Sequence, residues 1–575
     1  MSKLDELSEA FEKMAELSEI KGEVRFKVNA YNRAAELVRS LGEEILEKES
    51  VKELREYPGI GEGIAKKILQ FKETGNITRL EELKEEVPVE LLALLKVPNL
   101  GPRKAKQVYE ELGIRTIQEL EGAAKSEQLS QLKGWGPKAE SKILEGIHNL
   151  HSISGRIIIS KAYSMEKEIT SLLKERFPGL AINPAGSLRR MKETVGDLDL
   201  LVEAEDSGDI MKLFCSLPMV ESVLLAGETK SSIRTKDGMQ VDLRVVRPGE
   251  YGAALQYFTG SKAHNVRVRE IAKRKGLKIN EYGVFEIEGD RKIAGFTEEE
   301  VYRILEMEAP PPELRENRGE VEAALKGRLP NLVELSEIKG DLHAHTDDSD
   351  GANSIEEMRE AAEALGYRYL AVTDHALGLK VAGGLDRETL LRQVDRIREL
   401  NARGDSGVIL LAGSELNIDN QGGLDFDDDI LTLLDLNIAA IHGGFGQTRE
   451  QMTERILHAI RNPHVKVLAH PTGRLIGQRP AYEVDLRSVM KEAARTGTAM
   501  ELNAFPERLD LNDEHLMEAR QLGVKISIGT DAHRREHLGF MFYGVATARR
   551  GWLEGGDTLN TMEPGELLEM LWEGG

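Results

Sequence analysis

Three aspartates lie on two stretches with the alternating pattern of β-strands. Asp197 and Asp199 belong to GDLDLLV at 196–202, and Asp242 belongs to VDLRV at 241–245. Residues two apart in a strand share a face, so these carboxylates project away from the apolar residues between them. Carboxylates that converge on one face repel each other unless cations lie between them, and such hard oxygen ligands suit Mg²⁺. The pattern predicts two magnesium ions that would stabilise the attacking and leaving oxygens of a phosphoryl transfer.

A glycine-serine pair and two arginines precede the first of these strands. Gly186 and Ser187 begin GSLRR at 186–190. Their backbone N–H groups can face phosphates, and Arg189 and Arg190 add positive charge. An Asp-x-Asp pair alone is more often a solvated strand face, but a Gly-Ser pair at this spacing is typical of nucleotidyltransferases.

A second set of metal-binding side chains follows predicted strands in the C-terminal region. Short β-rich segments alternate there with helical ones, around 341–345, 369–373, 408–412, 438–442, 465–469, 498–503 and 525–529. This alternation predicts a parallel barrel, whose active site gathers at the C-terminal strand ends. Six histidines and three acids fall there: His343, His345, Asp350, His375, Glu415, His442, His470, Asp531 and His533. Mixed imidazole and carboxylate ligands suit Zn²⁺ or Mn²⁺, and nine ligands are enough for about three ions.

The first 150 residues read as helices in which a helix–glycine turn–helix unit recurs. The turns contain Gly59 and Gly61, then Gly101, then Gly134 and Gly136, and basic residues such as Lys104 follow them. N–H groups at the start of a helix favour an anion. The unit is therefore the helix-hairpin-helix pattern that binds a DNA backbone without reading sequence. A helical bundle with glycine turns is the alternative.

The net charge of −22, from 77 basic and 99 acidic residues, alone argues against a nucleic-acid partner. The hairpin lysines and the basic stretch at 267–275 are local exceptions. One cysteine, Cys215, excludes a disulfide framework and a cysteine-based zinc site. No apolar run approaches the roughly 18–20 residues of a membrane span. We therefore expect a cytoplasmic protein without a membrane partner that binds DNA through local basic surfaces.

Residues 1 to about 318 resemble a family X DNA polymerase, because GSLRR, GDLDL, VDLRVV, YFTGS and INEY occur in that order. Residues 337–575 resemble a PHP (polymerase and histidinol phosphatase) domain with all nine ligand positions filled. The whole chain is similar to bacterial or archaeal family X polymerases with a C-terminal PHP domain.

The resemblance implies a role for each matching residue. Asp197, Asp199 and Asp242 would bind two Mg²⁺ ions, and Asp242 would help to activate the primer 3′-hydroxyl. The implied nucleotide-binding residues are Gly186, Ser187, Arg190, Arg156, Tyr257, Phe258, Gly260 and Asn265. Arg269 would contact the template. Lys67 would form a Schiff base in a 5′-deoxyribose-phosphate lyase reaction, with Lys27 and Tyr31 at the 5′-phosphate. The alternative for Lys67 is a backbone phosphate contact, and Gly63 replaces a further lysine of the family.

The implied function is short-gap DNA repair synthesis from dNTPs on gapped or nicked DNA, with metal-dependent 3′→5′ exonuclease or 3′-end processing by the PHP domain. Abasic-site cleavage is a further expectation. The alternatives are a catalytically idle PHP domain, a PHP domain that is a small-molecule phosphatase, and an N-terminal half that binds DNA without synthesis. We expect the protein to be a monomer and to interact with other repair proteins.

The predicted fold class is a multidomain α and β protein. Its parts are helical helix-hairpin-helix domains, a nucleotidyltransferase palm with a mixed sheet, a small α+β thumb and a distorted (β/α)7 barrel. The predicted bounds are 1–85 (lyase-like domain), 86–150 (fingers-like domain), 151–262 (palm), 263–307 (thumb), 308–336 (linker, with the proline run at 310–312) and 337–575 (PHP domain).

Overall fold

The computed structural model describes residues 3–573, except 42–44, 46–47, 49, 56, 58, 89, 96, 98–99, 137–138, 145, 148–155 and 380–381. The chain forms two compact units, residues 1–154 with 477–480, and residues 155–476 with 481–575. The predicted boundary at 150/151 lies outside the described residues.

The first unit is helical, as predicted. Leu7, Phe11, Met14 and Leu17 recur at helical spacing, and all four are buried because this spacing places them on one face. The described helices are Lys3–Lys21, Arg25–Leu41, Val51–Leu54, Glu62–Thr74, Thr78–Glu86, Leu91–Leu95, Pro102–Leu112, Ile117–Lys125, the 3₁₀ turn Leu129–Gln131, and residues 139–144.

The palm in the second unit is a five-stranded mixed sheet. Its strand order is Ala181–Pro184, Asp197–Glu203, Gln240–Val246, Lys230–Thr235 and Val220–Ala226. The second and third strands are parallel, and the other neighbours are antiparallel. Leu198, Leu200 and Val202 alternate into the core. Helices Ile159–Arg176, Gly186–Arg189 and Gly208–Cys215 and a small ladder of Ile157–Ile158 with Thr194–Val195 complete the palm.

The 3₁₀ turn Pro248–Glu250 and helix Tyr251–Thr259 lead from the palm into the thumb. The thumb contains helices Lys262–Arg274 and Glu298–Arg303 and an antiparallel sheet of Leu277–Asn280, Gly283–Glu286 and Lys292–Ala294.

The stretch 308–336, which was predicted as a linker, contains short regular elements. It contains the 3₁₀ turn Pro312–Leu314 and helix Glu320–Leu325, and another 3₁₀ turn, Leu335–Glu337, follows at its end. Val321 and Ala324 are buried in the thumb core. Nδ1 of buried His264 lies 2.7 Å from Glu320 Oε1. The prolines interrupt a helix locally, but Val321 and Ala324, which follow them in the chain, pack in the hydrophobic core of the thumb.

The C-terminal strands form a parallel seven-stranded sheet in chain order, so the barrel prediction is confirmed. A bridge between Ala344 and Ala532 nearly closes it. The strands are Gly340–Ala344, Tyr369–Val372, Ile409–Asn417, Leu436–Ala440, Val467–Leu468, Ala499–Asn503 and Ile526–Gly529. The helices are Ile355–Ala364, Arg387–Arg403, Asp428–Leu431, Arg449–Ile460, Leu486–Thr496, Asp513–Gln521, Met541–Arg550 and Pro564–Glu573, with 3₁₀ turns Arg535–Phe540, Gly555–Asp557 and Leu559–Thr561. None of the helices described in the chain is long and apolar enough to cross a membrane.

Candidate active sites

The palm brings the three predicted aspartates to one edge of its sheet. Asp199 and Asp242 are direct partners on the two parallel strands, and Asp197 lies two residues before Asp199. Burial, and then the charges of Asp197 and Asp242, raise the pKa of Asp199 to about 7. This mutual repulsion is what a bound cation would relieve, so the donor set fits Mg²⁺.

Lys230 is a palm residue that the sequence analysis did not identify. Its Nζ lies 2.5 Å from Asp242 Oδ2, and the amide of Gln240 donates a 3.0 Å hydrogen bond to Oδ1. Burial would raise the pKa of Asp242, but hydrogen bonds from Lys230, Gln240 and Ser232 hold it below its usual value. Asp242 therefore stays ionised while Asp199 titrates near neutrality.

A cavity of about 770 Å³ lies beside the aspartates, with walls from the palm, the thumb and the barrel domain. Its lining includes every predicted nucleotide-binding residue: Arg156, Gly186, Ser187, Arg190, Tyr257, Phe258, Gly260 and Asn265, together with Arg269. A Cβ on Gly186 would lie 2.5 Å from Asp199 Oδ2, and its φ is +57°. Only glycine allows the turn at Gly186 to pass this close to the carboxylate.

The two predicted phosphate arginines are bound to protein atoms. Arg190 donates to Glu316 Oε1 at 3.0 Å and to the Thr259 carbonyl oxygen at 2.5 Å. Arg156 donates to the hydroxyl and the carbonyl oxygen of Thr194 at 3.0 and 2.5 Å. Both guanidinium groups are therefore held at the cavity wall.

The side chains at the end of the cavity that includes Tyr257, Phe258 and Asn265 are held by contacts with one another. Tyr257 and Phe258 pack edge to face at 5.1 Å between ring centroids. The Asn265 amide accepts from Gln256 at 2.8 Å and donates to the Tyr257 carbonyl oxygen at 2.7 Å. Nε of Arg269 in turn donates to the Asn265 carbonyl oxygen at 3.2 Å. These bonds fix the side chain that was predicted to contact the base.

The barrel brings all nine predicted ligands into one cluster. Glu415, which is 1% exposed, lies at its centre. His470 Nε2 and His442 Nε2 lie 2.9 and 3.2 Å from its Oε1. His375 Nδ1 and His343 Nε2 lie 2.9 and 3.5 Å from its Oε2.

The remaining ligands extend the cluster to one side. His345 Nε2 lies 3.3 Å from Asp531 Oδ1, and His533 Nε2 lies 3.4 Å from Asp350 Oδ1. Three overlapping groups could each hold an ion: His345, Asp350, His375 and His533; His343, His345 and Glu415; and His375, Glu415 and His442.

Buried imidazole nitrogens that lack hydrogen-bond partners in the described part of the chain also indicate that the barrel cluster could hold metal ions. Nδ1 of His345, His442 and His470 is buried without a hydrogen-bond partner among the described residues. Burial, and then the neighbouring His533 and His375, lower the pKa of His345 to about 3. Burial opposes protonation of His533, but Asp350 and Asp531 raise its pKa to about 9. Imidazoles and carboxylates therefore lie close together in this cluster, and a bound metal ion would displace protons from the imidazoles.

Sequence reasoning missed the residues that orient these ligands. Glu501 Oε1 lies 2.6 Å from His343 Nδ1, and its Oε2 accepts from the His470 backbone N–H at 2.6 Å. Asn503 donates to Asp531 Oδ2 at 3.0 Å, and Arg508 Nε lies 3.4 Å from the same oxygen. Glu501 was detectable, because a charged residue within the apolar strand Ala499–Asn503 needs a partner.

The predicted lyase residues lie together in the first unit. Phe26, Lys27, Tyr31, Gly63 and Lys67 contribute to a pocket of about 600 Å³ that also includes Gly59 and Gly61. Lys67 Nζ donates to the Gly63 carbonyl oxygen at 3.2 Å and lies 5.7 Å from the Tyr31 ring centroid. Burial, and then the charges of Arg79 and Lys27, lower the pKa of the Lys67 ammonium. A lysine nucleophile needs a shift in this direction.

The hairpin glycines lie at helix starts. Gly61 and Gly101 are the N-caps of Glu62–Thr74 and Pro102–Leu112, and Gly59 and Gly134 have φ of +97° and +84°. Lys104 Nζ lies 4.8 Å from the Trp135 ring centroid.

In the third copy, which contains Gly136, Glu140 is buried and accepts from the Ser130 backbone N–H at 2.8 Å. The first two copies carry Ala65 and Ala105 at this position, so the residue that differs in the third copy has a structural partner.

Sequence comparisons match four regions of the chain. A "Helix-hairpin-helix domain" matches 4–77, a "SAM-like Helix-hairpin-helix tandem" 91–149, a "DNA polymerase beta thumb" 254–316 and a "PHP domain" 341–470.

Relatives match either the whole chain or one part of it. "DNA polymerase/3'-5' exonuclease PolX" of Bacillus subtilis is 40% identical over 551 residues, which is 96% of each chain. "DNA polymerase lambda" of Rattus norvegicus is 24% identical over 298 residues, 48% of each chain. A "Probable phosphatase" of Acetivibrio thermocellus is 33% identical over 202 residues, 34% of this chain and 78% of the relative.

Proposed function

Since the chain belongs to the family X DNA polymerases with a C-terminal PHP domain, we propose that it fills short gaps during DNA repair and processes 3′ ends in its barrel. The single observation that carries the synthetic half is the register of Asp199 beside Asp242, next to a cavity lined by Ser187 and Arg190. The domain bounds predicted above are part of this proposal.

In the palm, Asp197, Asp199 and Asp242 would hold two Mg²⁺ ions, which when bound stabilise the charge on the attacking and leaving oxygens. Asp242, which is ionised beside Lys230, would accept the proton of the primer 3′-hydroxyl. Arg156 and Arg190 would exchange their bonds to carbonyl oxygens for charge-assisted bonds to the triphosphate, beside Ser187.

The sugar and base of a dNTP would occupy the other end of the same cavity. Tyr257, Phe258 and Gly260 would pack against the sugar and disfavour a ribose, and Asn265 would contact the base. Arg269 would contact the template.

In the barrel, the nine ligands would hold about three Mn²⁺ or Zn²⁺ ions, which when bound polarise a phosphodiester and lower the pKa of a water. Glu501 would keep the His343 ring oriented through Nδ1. We propose 3′→5′ exonuclease activity, with abasic-site cleavage as a further reaction of the same site. A small-molecule phosphatase is the second candidate, because this part of the chain is 33% identical to a "Probable phosphatase".

One substrate tests both halves. A 3′-labelled primer on gapped DNA is incubated with four dNTPs in Mg²⁺ or in Mn²⁺, using wild type, Asp242→Ala and His343→Ala. We expect Asp242→Ala to lose extension and keep degradation, and His343→Ala to show the reverse. Extension by Asp242→Ala would refute the palm assignment. Hydrolysis of a chromogenic phosphoester without DNA degradation would favour the phosphatase, and loss of neither activity in His343→Ala would favour an idle barrel.

We further propose that Lys67 is the nucleophile of a 5′-deoxyribose-phosphate lyase, with Lys27 and Tyr31 at the 5′-phosphate. Borohydride should trap wild type on incised abasic DNA, and Lys67→Ala should not be trapped. Lys66→Ala is the matched control, because Lys66 is exposed and pairs with Glu62 at 2.6 Å. Equal trapping of both variants would leave Lys67 as a phosphate contact.

A further inference from the structure

Helix Met541–Arg550 belongs to the barrel domain and packs against the palm. Its last residue, Arg550, lines the cavity beside the palm aspartates. Met541, Val545 and Ala548 are buried in the barrel core. From another side of the helix, the rings of Phe542 and Tyr543 lie 5.1 and 6.3 Å from the ring of Tyr163 in the palm. The helix is thus fixed on both sides, and its last residue is Arg550.

The Arg550 side chain is 3% exposed and lines the cavity wall. Its Nη1 donates to the Arg190 backbone carbonyl oxygen at 2.6 Å and to Glu316 Oε1 at 3.2 Å. Its Nη2 donates to Asp513 Oδ2 at 2.5 Å. The same oxygen of Glu316 accepts from Arg190 Nε at 3.0 Å. One partly buried carboxylate is therefore shared between a palm arginine and a barrel arginine.

This sharing sets how strongly Arg190 is held. Burial would raise the pKa of Glu316, but the charges of Arg190 and Arg550 keep it below its usual value. Without Arg550 the ionised carboxylate would face Arg190 with one fewer partner. Arg550 also repels the Arg190 guanidinium at close range, so without it the potential at Arg190 becomes more negative and the attraction to Glu316 is no longer shared. The Arg190 guanidinium would then be held back from a triphosphate, and its positive charge would be more fully neutralised.

We propose that Arg550 is a positioning residue for nucleotidyl transfer, which shares Glu316 with Arg190 and so leaves Arg190 available to the incoming triphosphate. This inference rests on the proposed role of Arg190 in nucleotide binding. It makes synthesis in the palm depend on a side chain of the barrel domain, independently of the barrel metal cluster.

The first test is steady-state insertion of one dNTP into gapped DNA by the full-length Arg550→Gln protein. We expect KM for the dNTP to rise about tenfold and kcat to change less than about threefold, because ground-state binding of the triphosphate is weakened. Arg549→Gln is the matched control. Arg549 is its neighbour on the same helix, and its guanidinium bonds Glu313 and Glu334 at 2.7 Å each instead of reaching Arg190. Its KM should stay within about twofold of wild type.

The second test separates positioning from general support of the fold. In Arg550→Gln/Glu316→Gln the carboxylate that would retain Arg190 is also removed, so KM should return to within about threefold of wild type. Loss of structural support alone would make the double variant worse than the single one. Arg550→Lys, which keeps the charge but cannot bond all four acceptors of the guanidinium, should give an intermediate KM and serves if Arg550→Gln folds poorly. Exonuclease activity and the thermal unfolding midpoint report on folding.

Equal KM values for Arg550→Gln and Arg549→Gln in an active enzyme would overturn the inference alone, and so would a double variant that shows no recovery. Absence of dNTP incorporation by wild type would instead overturn the proposed polymerase function, and the inference with it.

Discussion

The palm and the barrel gather acidic residues in opposite ways. In the palm, Asp197, Asp199 and Asp242 come from two adjacent strands, and repulsion contributes to the rise of the Asp199 pKa to about 7. In the barrel, ligands from many strand ends alternate acids with imidazoles. Burial would raise the pKa of Asp350, but neighbouring histidines, His533 first, lower it to about 2.

The difference concerns where the compensating charge comes from. The barrel supplies part of its own, because neighbouring carboxylates outweigh burial and raise the pKa values of His343, His375 and His533. The palm carboxylates repel each other at Asp199, so we expect them to depend more on bound ions. We therefore expect the barrel to retain its metals through purification and the palm to exchange Mg²⁺ readily.

The largest predicted effect comes from substituting one glycine beside each cluster of acidic residues, Gly186 in the palm and Gly529 in the barrel. A Cβ on Gly186 would lie 2.5 Å from Asp199 Oδ2, and a Cβ on Gly529 would lie 2.5 Å from Glu501 Oε1 and 2.6 Å from His343 Cβ. Gly186→Ala should lower the rate of dNTP incorporation by about 100-fold or more, because displacing a catalytic group by about 1 Å costs this much. Gly529→Ala should do the same to exonuclease activity. Each variant should keep the other activity within about twofold of wild type.

Gly556→Ala is the control, because its Cβ would meet nothing within 4 Å. If either buried variant lost both activities while remaining folded, the two centres would not be independent, and the comparison would fail.

The next prediction concerns the raised pKa of Asp199 in the palm, to which burial and then the charges of Asp197 and Asp242 contribute. The folded-state pKa of Asp199, about 7, is above its ordinary value of 3.8. Its protonated form therefore stabilises the metal-free protein at low pH, and this stabilisation is lost as the pH rises toward 7. Relative to Asp199→Asn, wild type in chelator should lose about 2 kcal/mol of stability between pH 5 and pH 7.

The measurement is the difference between the thermal unfolding midpoints of the two proteins across this pH range. Millimolar Mg²⁺ at pH 8 should raise the midpoint of wild type more than that of Asp199→Asn. A difference in midpoint that is constant with pH would mean that the pKa of Asp199 is not raised in the folded protein.

The sequence predicts the ligands better than their partners. Asp197 and Asp199 could be paired because strand periodicity is local, and the barrel ligands because strand ends share one rim. Lys230 could not be found, because it reaches Asp242 only through the antiparallel register of two strands. Arg550 and Glu316 meet across 234 residues of sequence, and no local pattern encodes that contact. The proline run predicts a linker because it is conspicuous in the sequence. No comparable local signal shows that Val321 and Ala324, which follow it, pack in the thumb core.

The smallest predicted effect concerns Lys230, a cation that the palm itself supplies beside Asp242. Lys230 Nζ lies 2.5 Å from Asp242 Oδ2, where it lowers the pKa of the carboxyl but also competes electrostatically with a metal. Asp242 would remain ionised at neutral pH without it, so Lys230→Gln should reduce the Mg²⁺ concentration for half-maximal incorporation by roughly two- to fivefold. Arg234→Gln is the matched control, since Arg234 lies on the same strand and bonds the Gly238 carbonyl oxygen. An increased Mg²⁺ requirement in Lys230→Gln would show that Lys230 orients Asp242 more than it competes for it. In that case the palm, like the barrel, would depend on a positive charge supplied by its own chain.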